Sequence, residues 1–392
     1  MPPTSSATST DFGKPRHNGL LTDGMISFLK KRAVFCAATL CALISCLFVP
    51  PSRAYLSYID VNTLAVLFAL MVAVSGLESG GVFRTLAVRL CAVVHTTRSL
   101  SAVLVFLCFF TSMLITNDVA LIAFVPFALM LLGAQEKLSP KYIAFVVVLQ
   151  TIAANTGSML TPVGNPQNLF LYNKMELPLG DFVSILLPYT AACGLLLAVS
   201  LFAVPKLPLS ALGSPNTKSN PASWKKILHA VLFALCLLSV AKLIPKPVLA
   251  LIVFVAVLIF DRKTLFRVDY FLLLTFVAFF VFSGNIAAIP AVSTALENCV
   301  RGHELASGLL ASQVISNVPA TLLLYPFVVN ARRLLLGVNF GGLGTLVASL
   351  ASLISFTMYS KTQKNSGLFL ALFTALSVIF LAMLLSVCQL LQ

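Results

Sequence analysis

Apolar residues fill long stretches of the chain, and polar residues gather at a few points between them. The apolar stretches recur at about the 20-residue length that an α-helix needs to cross a bilayer core roughly 30 Å thick. A β-barrel would show short segments of alternating polarity instead. We predict ordinary helical spans at residues 33–50, 60–77, 180–204, 226–244, 246–260, 268–289 and 366–391.

Four further apolar regions are interrupted by polar residues. Regions 141–174 and 333–359 are long enough to cross a membrane but are broken in the middle. Regions 100–133 and 305–331 carry a polar pair at their centres. We interpret the first two as discontinuous transmembrane helices, unwound at residues 155–168 and 339–344, and the last two as re-entrant helical hairpins. Residues 80–98 contain three arginines, and we place them at the membrane interface.

The two hairpins are similar to each other in sequence, and so are the two broken helices. "TNDVALIAFVPF" (116–127) aligns with "SNVPATLLLYPF" (316–327), and "NTGSMLTPV" (155–163) aligns with "NFGGLGTLV" (339–347). The residues that recur in register are Asn117 and Asn317, Asn155 and Asn339, Gly157 and Gly341, Thr161 and Thr345, Val163 and Val347, with Ser75-Gly76 recurring upstream as Ser283-Gly284. Matching segments in the same order predict an internal repeat.

The order of the spans predicts that the second repeat is inverted. Residues 30–204 form the first repeat, and residues 226–392 form an extra span followed by the second repeat. An odd span between the halves reverses the second one in the membrane. We expect residues 205–225 to be a cytoplasmic linker and residues 1–29, which are polar, to be a disordered cytoplasmic N-terminus. This orientation places most lysines and arginines on the cytoplasmic side, as the positive-inside rule requires.

Composition strengthens the membrane interpretation and excludes other classes. The chain has 392 residues, of which 59% are hydrophobic and only 10% are charged. A soluble domain needs more polar cover than this. The net charge of +14 is spread over loops, without a basic patch interleaved with aromatic residues, so we expect no nucleic-acid partner. We therefore predict an all-α polytopic membrane protein with inverted repeats.

The interruptions predict the binding site. A helix break in lipid leaves backbone N–H and C=O groups unpaired at several kcal/mol each, so breaks survive where they line a cavity or bind a ligand. Glycines allow close backbone approach, and asparagine and threonine supply uncharged donors and acceptors. The candidate substrate- and ion-binding residues are Thr116, Asn117, Asp118, Asn155, Thr156, Gly157, Thr161, Gly164, Asn165, Asn168, Ser316, Asn317, Asn339, Gly341 and Thr345. Helix N-termini in such a site favour an anion, and exposed carbonyls favour a cation.

Asp118 is the one acidic residue at a hairpin turn, and its aligned partner is Val318. A carboxylate at membrane depth costs about 2.5–3.5 kcal/mol on insertion scales, which makes it a functional candidate. Two interpretations stay open: Asp118 couples transport to an ion, or it caps the second half-helix of its hairpin. Cationic side chains are absent from the middles of the spans. A bound anion would therefore depend on helix ends, amides and a co-bound cation.

The segments "TND", "SNV", "NTGSMLTPVGNPQNLFLY" and "GVNFGGLGTLVASLASLISF" resemble those of the ion transporter superfamily, over roughly residues 55–390. That group includes divalent anion/sodium symporters, citrate transporter-like permeases and arsenical pump membrane subunits. The resemblance implies a secondary transporter of the cytoplasmic membrane that moves a small anion by alternating access. It implies Na⁺ or H⁺ as the coupling ion, no further cofactor, and a homodimer. It also implies Na⁺ sites at Thr116, Asn117 and Gly157 and at Ser316, Asn317 and Gly341.

Two alternative functions stay open at this point. One is a Na⁺/H⁺ antiporter in which Asp118 is the titrating carboxylate. The other is an arsenite or metalloid efflux permease, because an acidic first turn is closer to the arsenical-pump branch. The chain contains no GxxxxGK[ST], HExxH or GxSxG sequence, so we expect neither ATP hydrolysis nor another enzymatic activity from it.

Overall fold

The computed structural model describes residues 32–209 and 223–391, and every element in these ranges is a helix. The described α-helices, numbered in chain order, are α1 (Ala33–Phe48), α2 (Tyr55–Tyr58), α3 (Val61–Ser79), α4 (Val82–Cys91), α5 (Thr97–Thr111), α6 (Asn117–Gly133), α7 (Pro140–Ser158), α8 (Pro166–Met175), α9 (Leu179–Ser200), α10 (Ser223–Val240), α11 (Lys246–Phe260), α12 (Arg262–Leu265), α13 (Tyr270–Ala288), α14 (Pro290–Val300), α15 (Glu304–Ile315), α16 (Asn317–Leu324), α17 (Ala331–Phe340), α18 (Leu350–Thr362) and α19 (Ser366–Leu390). Short 3₁₀ turns follow at Leu201–Ala203, Tyr325–Phe327 and Leu346–Ala348. The expected disorder of residues 1–29, and residues 210–222 of the expected linker, lie outside the described ranges.

Four of the described helices are long and apolar enough to cross a membrane: α3, α9 with its 3₁₀ turn, α13 and α19. Shorter apolar helices accompany them at α1, α5, α6, α11 and α15. These helices coincide with predicted spans and hairpin arms to within a few residues. The prediction of an all-α polytopic membrane protein is therefore confirmed.

Ion pairs join distant parts of the chain at the ends of the helices. They are Arg32–Asp269 (2.6 Å), Lys225–Asp261 (2.8 Å) and Lys174–Asp60 (3.6 Å). The predicted topology puts both members of each pair on the same side of the membrane. Asp60 and Asp269 also cap helices, since they accept hydrogen bonds from the backbone N–H groups of Thr63 in α3 and Phe271 in α13.

The recurring Ser-Gly pairs mark two places where an aromatic ring lies against a helix backbone. A Cβ atom on Gly76 in α3 would lie 2.1 Å from the ring of His229 in α10. A Cβ atom on Gly284 in α13 would lie 2.3 Å from the ring of Tyr58 in α2. Glycine is needed at both positions because any larger residue would displace the ring.

Each predicted hairpin consists of two helices joined by a short turn. In the first, α5 ends at Thr111 and α6 begins at Asn117. In the second, only Ser316 separates α15 from α16, and its φ of 72° lies in the left-handed region. That conformation is uncommon for a residue other than glycine and lets the chain reverse within one residue. The return helix α16 is short and passes into a 3₁₀ turn at Tyr325.

Both predicted breaks are present, but they begin later than the sequence suggested. We expected residues 155–168 to be unwound throughout, whereas α7 continues to Ser158 and α8 begins at Pro166. Similarly, α17 continues to Phe340, so Asn339 is helical rather than unwound. The reason is that the segment before Pro162 contains no proline. A single glycine does not stop a helix that is packed on all sides.

The first halves of the two broken helices lie at the centre of the protein. Every residue from 146 to 159 in and after α7 is buried, and so is every residue from 334 to 343 in and after α17. A helix that is apolar and buried on all sides is a core element. The last turns of α7 and α17 therefore bring Asn155 and Asn339 into the interior.

Candidate functional site

Asn155, in the last turn of α7, connects three other segments through its side-chain amide. Its Oδ1 accepts hydrogen bonds from Asn117 Nδ2 and from Ser349 Oγ, each at 2.9 Å. Its Nδ2 donates to Ser352 Oγ at 3.0 Å. All four residues are buried, so these bonds replace lost contacts with water. Asn155 thus holds the first hairpin turn against the start of α18.

Asn339, in the last turn of α17, makes the corresponding contacts to α8. Its Nδ2 donates to Asn168 Oδ1 at 2.7 Å, and its Oδ1 accepts a longer bond of 3.4 Å from Asn165 Nδ2. Asn165 caps α8, because its Oδ1 accepts the backbone N–H of Asn168 at 2.9 Å. Each asparagine at the end of a first half-helix therefore bonds to the cap residue of the other broken helix and to the residue three positions after that cap.

The glycines of the two breaks allow the first helix of each hairpin, α5 or α15, to pack closely against the neighbouring broken helix. A Cβ atom on Gly157 would lie 2.1 Å from the carbonyl oxygen of Phe109 in α5. A Cβ atom on Gly341 would lie 2.6 Å from Cβ of Ser312 in α15. Gly164 is equally confined, since its added Cβ would lie 2.2 Å from a backbone oxygen. These glycines shape the site and bring no ligand-binding side chain to it.

Further hydrogen bonds tie each hairpin turn to its neighbouring break. The hydroxyl of Thr161 donates to the carbonyl oxygen of Met113, and the hydroxyl of Thr345 donates to that of Gln313 at 3.1 Å. The backbone N–H of Asn117 donates to the carbonyl of Gly164 at 3.1 Å. Sequence alignment pairs Thr161 with Thr345, so the two breaks are braced in the same way.

A largely apolar cavity with a few polar and charged lining residues lies beside the first hairpin turn. One part, of about 260 Å³, is lined by Thr116, Asp118 and Asn165 among apolar residues of α3. An adjoining part, of about 530 Å³, shares Asp118 and includes Val318 and Pro319 of the second hairpin. We refer to both parts together as the Asp118 cavity. Its charged residues away from the hairpin turns are Glu78, Arg267, Asp269, Arg32 and Lys361.

Asp118 lies in the first turn of α6 without capping it. The cap position is Thr116, and the backbone N–H of Asp118 donates to Asn117 Oδ1 at 3.0 Å. Within the described ranges, the carboxylate of Asp118 accepts no hydrogen bond and forms no ion pair. A carboxylate that lines a cavity at the start of a helix is free to bind a cation or a proton.

The remaining candidate residues lie either at the second hairpin turn or away from the contacts of Asn155 and Asn339. Asn317 and Ser316 lie at the second turn, where the Asn317 Oδ1 atom accepts the N–H of Val318 at 2.9 Å. The Thr156 hydroxyl donates to the carbonyl of Ile152 within its own helix, at 2.8 Å. Thr345 is exposed and caps a 3₁₀ turn. Thr156 and Thr345 therefore take no part in the hydrogen bonds around Asn155 and Asn339.

Sequence reasoning missed two members of the network, Ser349 and Ser352. Extending the alignment of the breaks pairs them with Asn165 and Asn168, at the same spacing of three residues. That spacing was the available signal. Gln313 of α15 supports the second break, because its Nε2 donates to the carbonyls of Gly341 and Leu343 at 2.8 and 2.9 Å. It stabilises the backbone of the break.

Interrupted apolar helices that meet through buried amides, beside a cavity that contains a carboxylate, are typical of integral membrane transport proteins. Residues 24–337 match the family model CitMHS, described as citrate transporter. The chain therefore belongs to the citrate transporter family.

Two relatives cover most of the chain. The inner membrane protein YbiR of Escherichia coli K12 is 32% identical over 317 residues, which are 79% of this chain and 83% of YbiR. The uncharacterized transporter MJ0456 of Methanocaldococcus jannaschii is 31% identical over 318 residues, which are 80% of this chain and 84% of MJ0456. A shorter match is to the silicon efflux transporter LSI3 of Oryza sativa subsp. japonica, 35% identical over 130 residues, or 33% of this chain and 26% of LSI3. The expectation of a membrane transporter is confirmed.

Proposed function

We propose that the protein is a secondary active transporter that moves a small anion across the cytoplasmic membrane, coupled to Na⁺ or H⁺. The observation that carries this proposal is the position of Asp118. Its carboxylate, which has no hydrogen-bond or ion-pair partner among the described residues, lines the same cavity as Thr116 and Asn165, next to the N-termini of α6 and α8. Each helix N-terminus contributes a partial positive charge of about half a unit, which favours an anion there.

In this proposal the two halves of the chain form an inverted repeat, and the hairpins α5–α6 and α15–α16 re-enter the membrane from opposite sides. The matched contacts of Asn155 and Asn339 support it, because each joins one broken helix to the other. Alternating access would then move the hairpins and broken helices against the remaining helices. The residues that are hydrogen-bonded to Asn155 and Asn339 would move together as one unit.

Binding of an anion beside the negatively charged Asp118 requires a coupling ion. A bound anion next to an ionised carboxylate is repelled, and Na⁺ or H⁺ at Asp118 removes that repulsion. In the proposed arrangement Thr116, Asn117 and Gly157 hold Na⁺ at the first turn. Ser316, Asn317 and Gly341 would hold Na⁺ at the second turn, as the repeat in the sequence favours.

Uptake into proteoliposomes tests this function. Purified protein would be supplied with labelled citrate, phosphate or sulfate under an imposed Na⁺ gradient, a pH gradient, or neither. We expect accumulation of at least one anion with one gradient, and its loss in Asn117→Ala. The matched control is Asn365→Ala, since Asn365 is an exposed cap of α19 that lines neither part of the Asp118 cavity. Full uptake by Asn117→Ala, or no gradient-driven uptake of any anion, would contradict the proposal.

Efflux of an uncharged metalloid acid is a second candidate. It is favoured by the match to LSI3, whose name describes silicon efflux, and by Asp118, which does not repel a neutral hydroxylated substrate. Loading proteoliposomes with silicic acid or arsenite and measuring its release distinguishes this candidate from anion transport. Release that depends on Asp118, without uptake of any anion, would favour efflux.

A Na⁺/H⁺ antiporter is the third candidate, favoured by the same carboxylate. Vesicles that contain a pH-sensitive dye and receive Na⁺ without any transported anion report directly on this exchange. Proton movement that disappears in Asp118→Asn would favour antiport over symport.

A further inference from the structure

A second cavity, of about 450 Å³ and lined by polar and charged residues, lies at the other end of α8. Its polar lining residues include Asp60, Asn173, Lys174, Glu176, Lys242 and Lys246, and we refer to it as the lysine pocket. Helix α8 has ten residues, which span about 15 Å between Asn165 and this pocket. The lysine pocket and the Asp118 cavity have no lining residue in common. The two sites are therefore separate.

Three ammonium groups converge on the lysine pocket from two parts of the chain. Lys246 Nζ donates to Asn173 Oδ1 at 2.6 Å, and Lys242 Nζ donates to the carbonyl oxygen of Glu176 at 2.9 Å. Lys174 Nζ lies 3.6 Å from the carboxylate of Asp60. Each ammonium group has three N–H donors, so these contacts leave further donors for a ligand.

Aromatic rings hold two of these lysines in place. Lys174 Nζ lies 5.8 Å from the ring centroid of Phe170, and Lys242 Nζ lies 5.4 Å from that of Tyr172. A cation near an aromatic ring is attracted to it, which limits the freedom of the long side chain. Side chains that are already positioned lose less entropy when a ligand binds.

The backbone at the lysine pocket is strained. Glu176 and Lys242 have φ angles of 53° and 65°, in the left-handed region. They are two of the three residues other than glycine with positive φ in the described ranges. Such residues cluster at ligand sites, where the surrounding structure maintains them. Here the hydrogen bond from Lys242 Nζ to Glu176 joins the two strained residues to each other.

We infer that the lysine pocket is an anion-binding site separate from the Asp118 cavity. Its three lysines exceed its two carboxylates, and its volume falls within the range of small-ligand sites. The ligand is a small anion with phosphate or carboxylate oxygens, which accept hydrogen bonds from ammonium groups. Asp60 competes with the ligand for Lys174, so its charge weakens binding.

Protection of the lysines from acylation tests the site directly. The purified full chain would be treated with an amine-acylating reagent, with phosphate or citrate added at constant ionic strength and with chloride as the reference. We expect the anion to slow modification of Lys174, Lys242 and Lys246 by about threefold or more, as ligand occupancy requires. Exposed Lys364 should react at an unchanged rate. Equal rates at all four lysines, or the same protection by chloride, would overturn the inference.

Two substitutions with opposite effects make the test specific. Asp60→Asn retains a side chain that caps α3 but removes the competing charge, so we expect anion affinity to rise about threefold. Lys246→Gln should lower it by about the same factor, and Lys364→Gln should leave it unchanged. Unchanged affinity in both pocket variants would overturn the inference. Protein stability measured in the same samples separates loss of binding from loss of fold.

A phospholipid headgroup carries the same phosphate chemistry as a free anion. Short-chain phosphatidylglycerol would therefore be compared with inorganic phosphate and citrate in the acylation experiment. Protection by the free anions supports the inference, and protection by the lipid alone overturns it. Because no gradient is applied, binding here is independent of transport. A failure of the proposed transport function would leave the lysine-pocket result intact, and the reverse also holds.

Discussion

Asn339 donates a hydrogen bond of 2.7 Å from its Nδ2 atom to Oδ1 of Asn168, which lies in the other broken helix. Asn155 makes the equivalent contact with Ser352 at 3.0 Å. The two interrupted helices thus hold each other through side-chain amides in the interior of a protein that belongs in a membrane. Polar groups that are buried and fully paired define one arrangement of the elements that carry them.

Replacing Asn339 with alanine should destabilise the protein. The change leaves the Asn168 Oδ1 and Asn165 Nδ2 atoms without this partner in the interior, and we expect a loss of about 2 kcal/mol. Thermal unfolding in detergent measures it. Asn365→Ala, which removes a surface cap, should cost about 1 kcal/mol and serves as the control. Equal melting temperatures for Asn339→Ala and the wild type would show that the network contributes nothing to stability.

Replacing Gly157 with alanine should destabilise the protein, although alanine has the higher helix propensity. Its new Cβ would lie 2.1 Å from the backbone carbonyl oxygen of Phe109, so α5 or α7 must move. We expect a loss of about 3 kcal/mol or more, from forced repacking. Gly133→Ala in α6 is the matched control, because nothing lies within 4 Å of its added Cβ.

Alanine at position 133 should be neutral or stabilising, since alanine loses less conformational entropy in a helix than glycine does. Melting temperatures of both variants in one detergent provide the comparison. The packing argument fails if Gly157→Ala melts at or above the temperature of Gly133→Ala.

Much of the fold could be predicted from the sequence because a long apolar stretch crosses a lipid bilayer as a helix, which pairs its own backbone groups. The spans and both breaks were predictable from hydropathy and from the glycines within the breaks, such as Gly164 in the first and Gly341 in the second. The ends of the breaks were not, because the helix around Asn155 is maintained by burial on all sides. Local sequence carries no information about that packing.

The candidate site was predicted in part. The repeated asparagines identified Asn117 and Asn155, which bond to each other, and Asn339, which bonds to residues of the other broken helix. The roles of Ser349 and Ser352 depend on contacts across almost two hundred positions of the chain, and their only signal in the sequence is the extended alignment of the two breaks. Thr156 and Thr345 fit the pattern equally well, but their hydroxyls donate to the backbone carbonyls of Ile152 and Gln313.

Asp118→Asn should uncouple transport from its driving ion. The amide keeps the size of the carboxylate but neither titrates nor carries a negative charge. We expect gradient-driven accumulation to fall to the level of passive exchange and the pH dependence of the transport rate to flatten. Asp181→Asn, at an exposed position in the first turn of α9, is the control. Unaltered accumulation and an unaltered pH profile in Asp118→Asn would exclude the carboxylate as the coupling group.

The last prediction concerns acid stability at the end of α11. Burial alone would raise the pKa of Asp261, but hydrogen bonds from Lys225, His229 and Thr264 outweigh it and hold that pKa below its usual value. A carboxyl group with a lowered pKa in the folded state stabilises the protein above its unfolded pKa of about 3.9. That stabilisation is lost as the pH falls through the folded pKa.

We therefore expect the melting temperature of the wild type to fall on acidification below about pH 4, and Asp261→Asn to be less stable than the wild type at pH 7. The difference between the two should shrink as the pH is lowered, because Asp261 is then protonated in both the folded and the unfolded states. Melting curves from pH 3 to pH 7 measure this, with Asp181→Asn as the control for removal of an exposed carboxylate. A constant difference across that range would mean that Asp261 stabilises the helix ends by packing and not by charge.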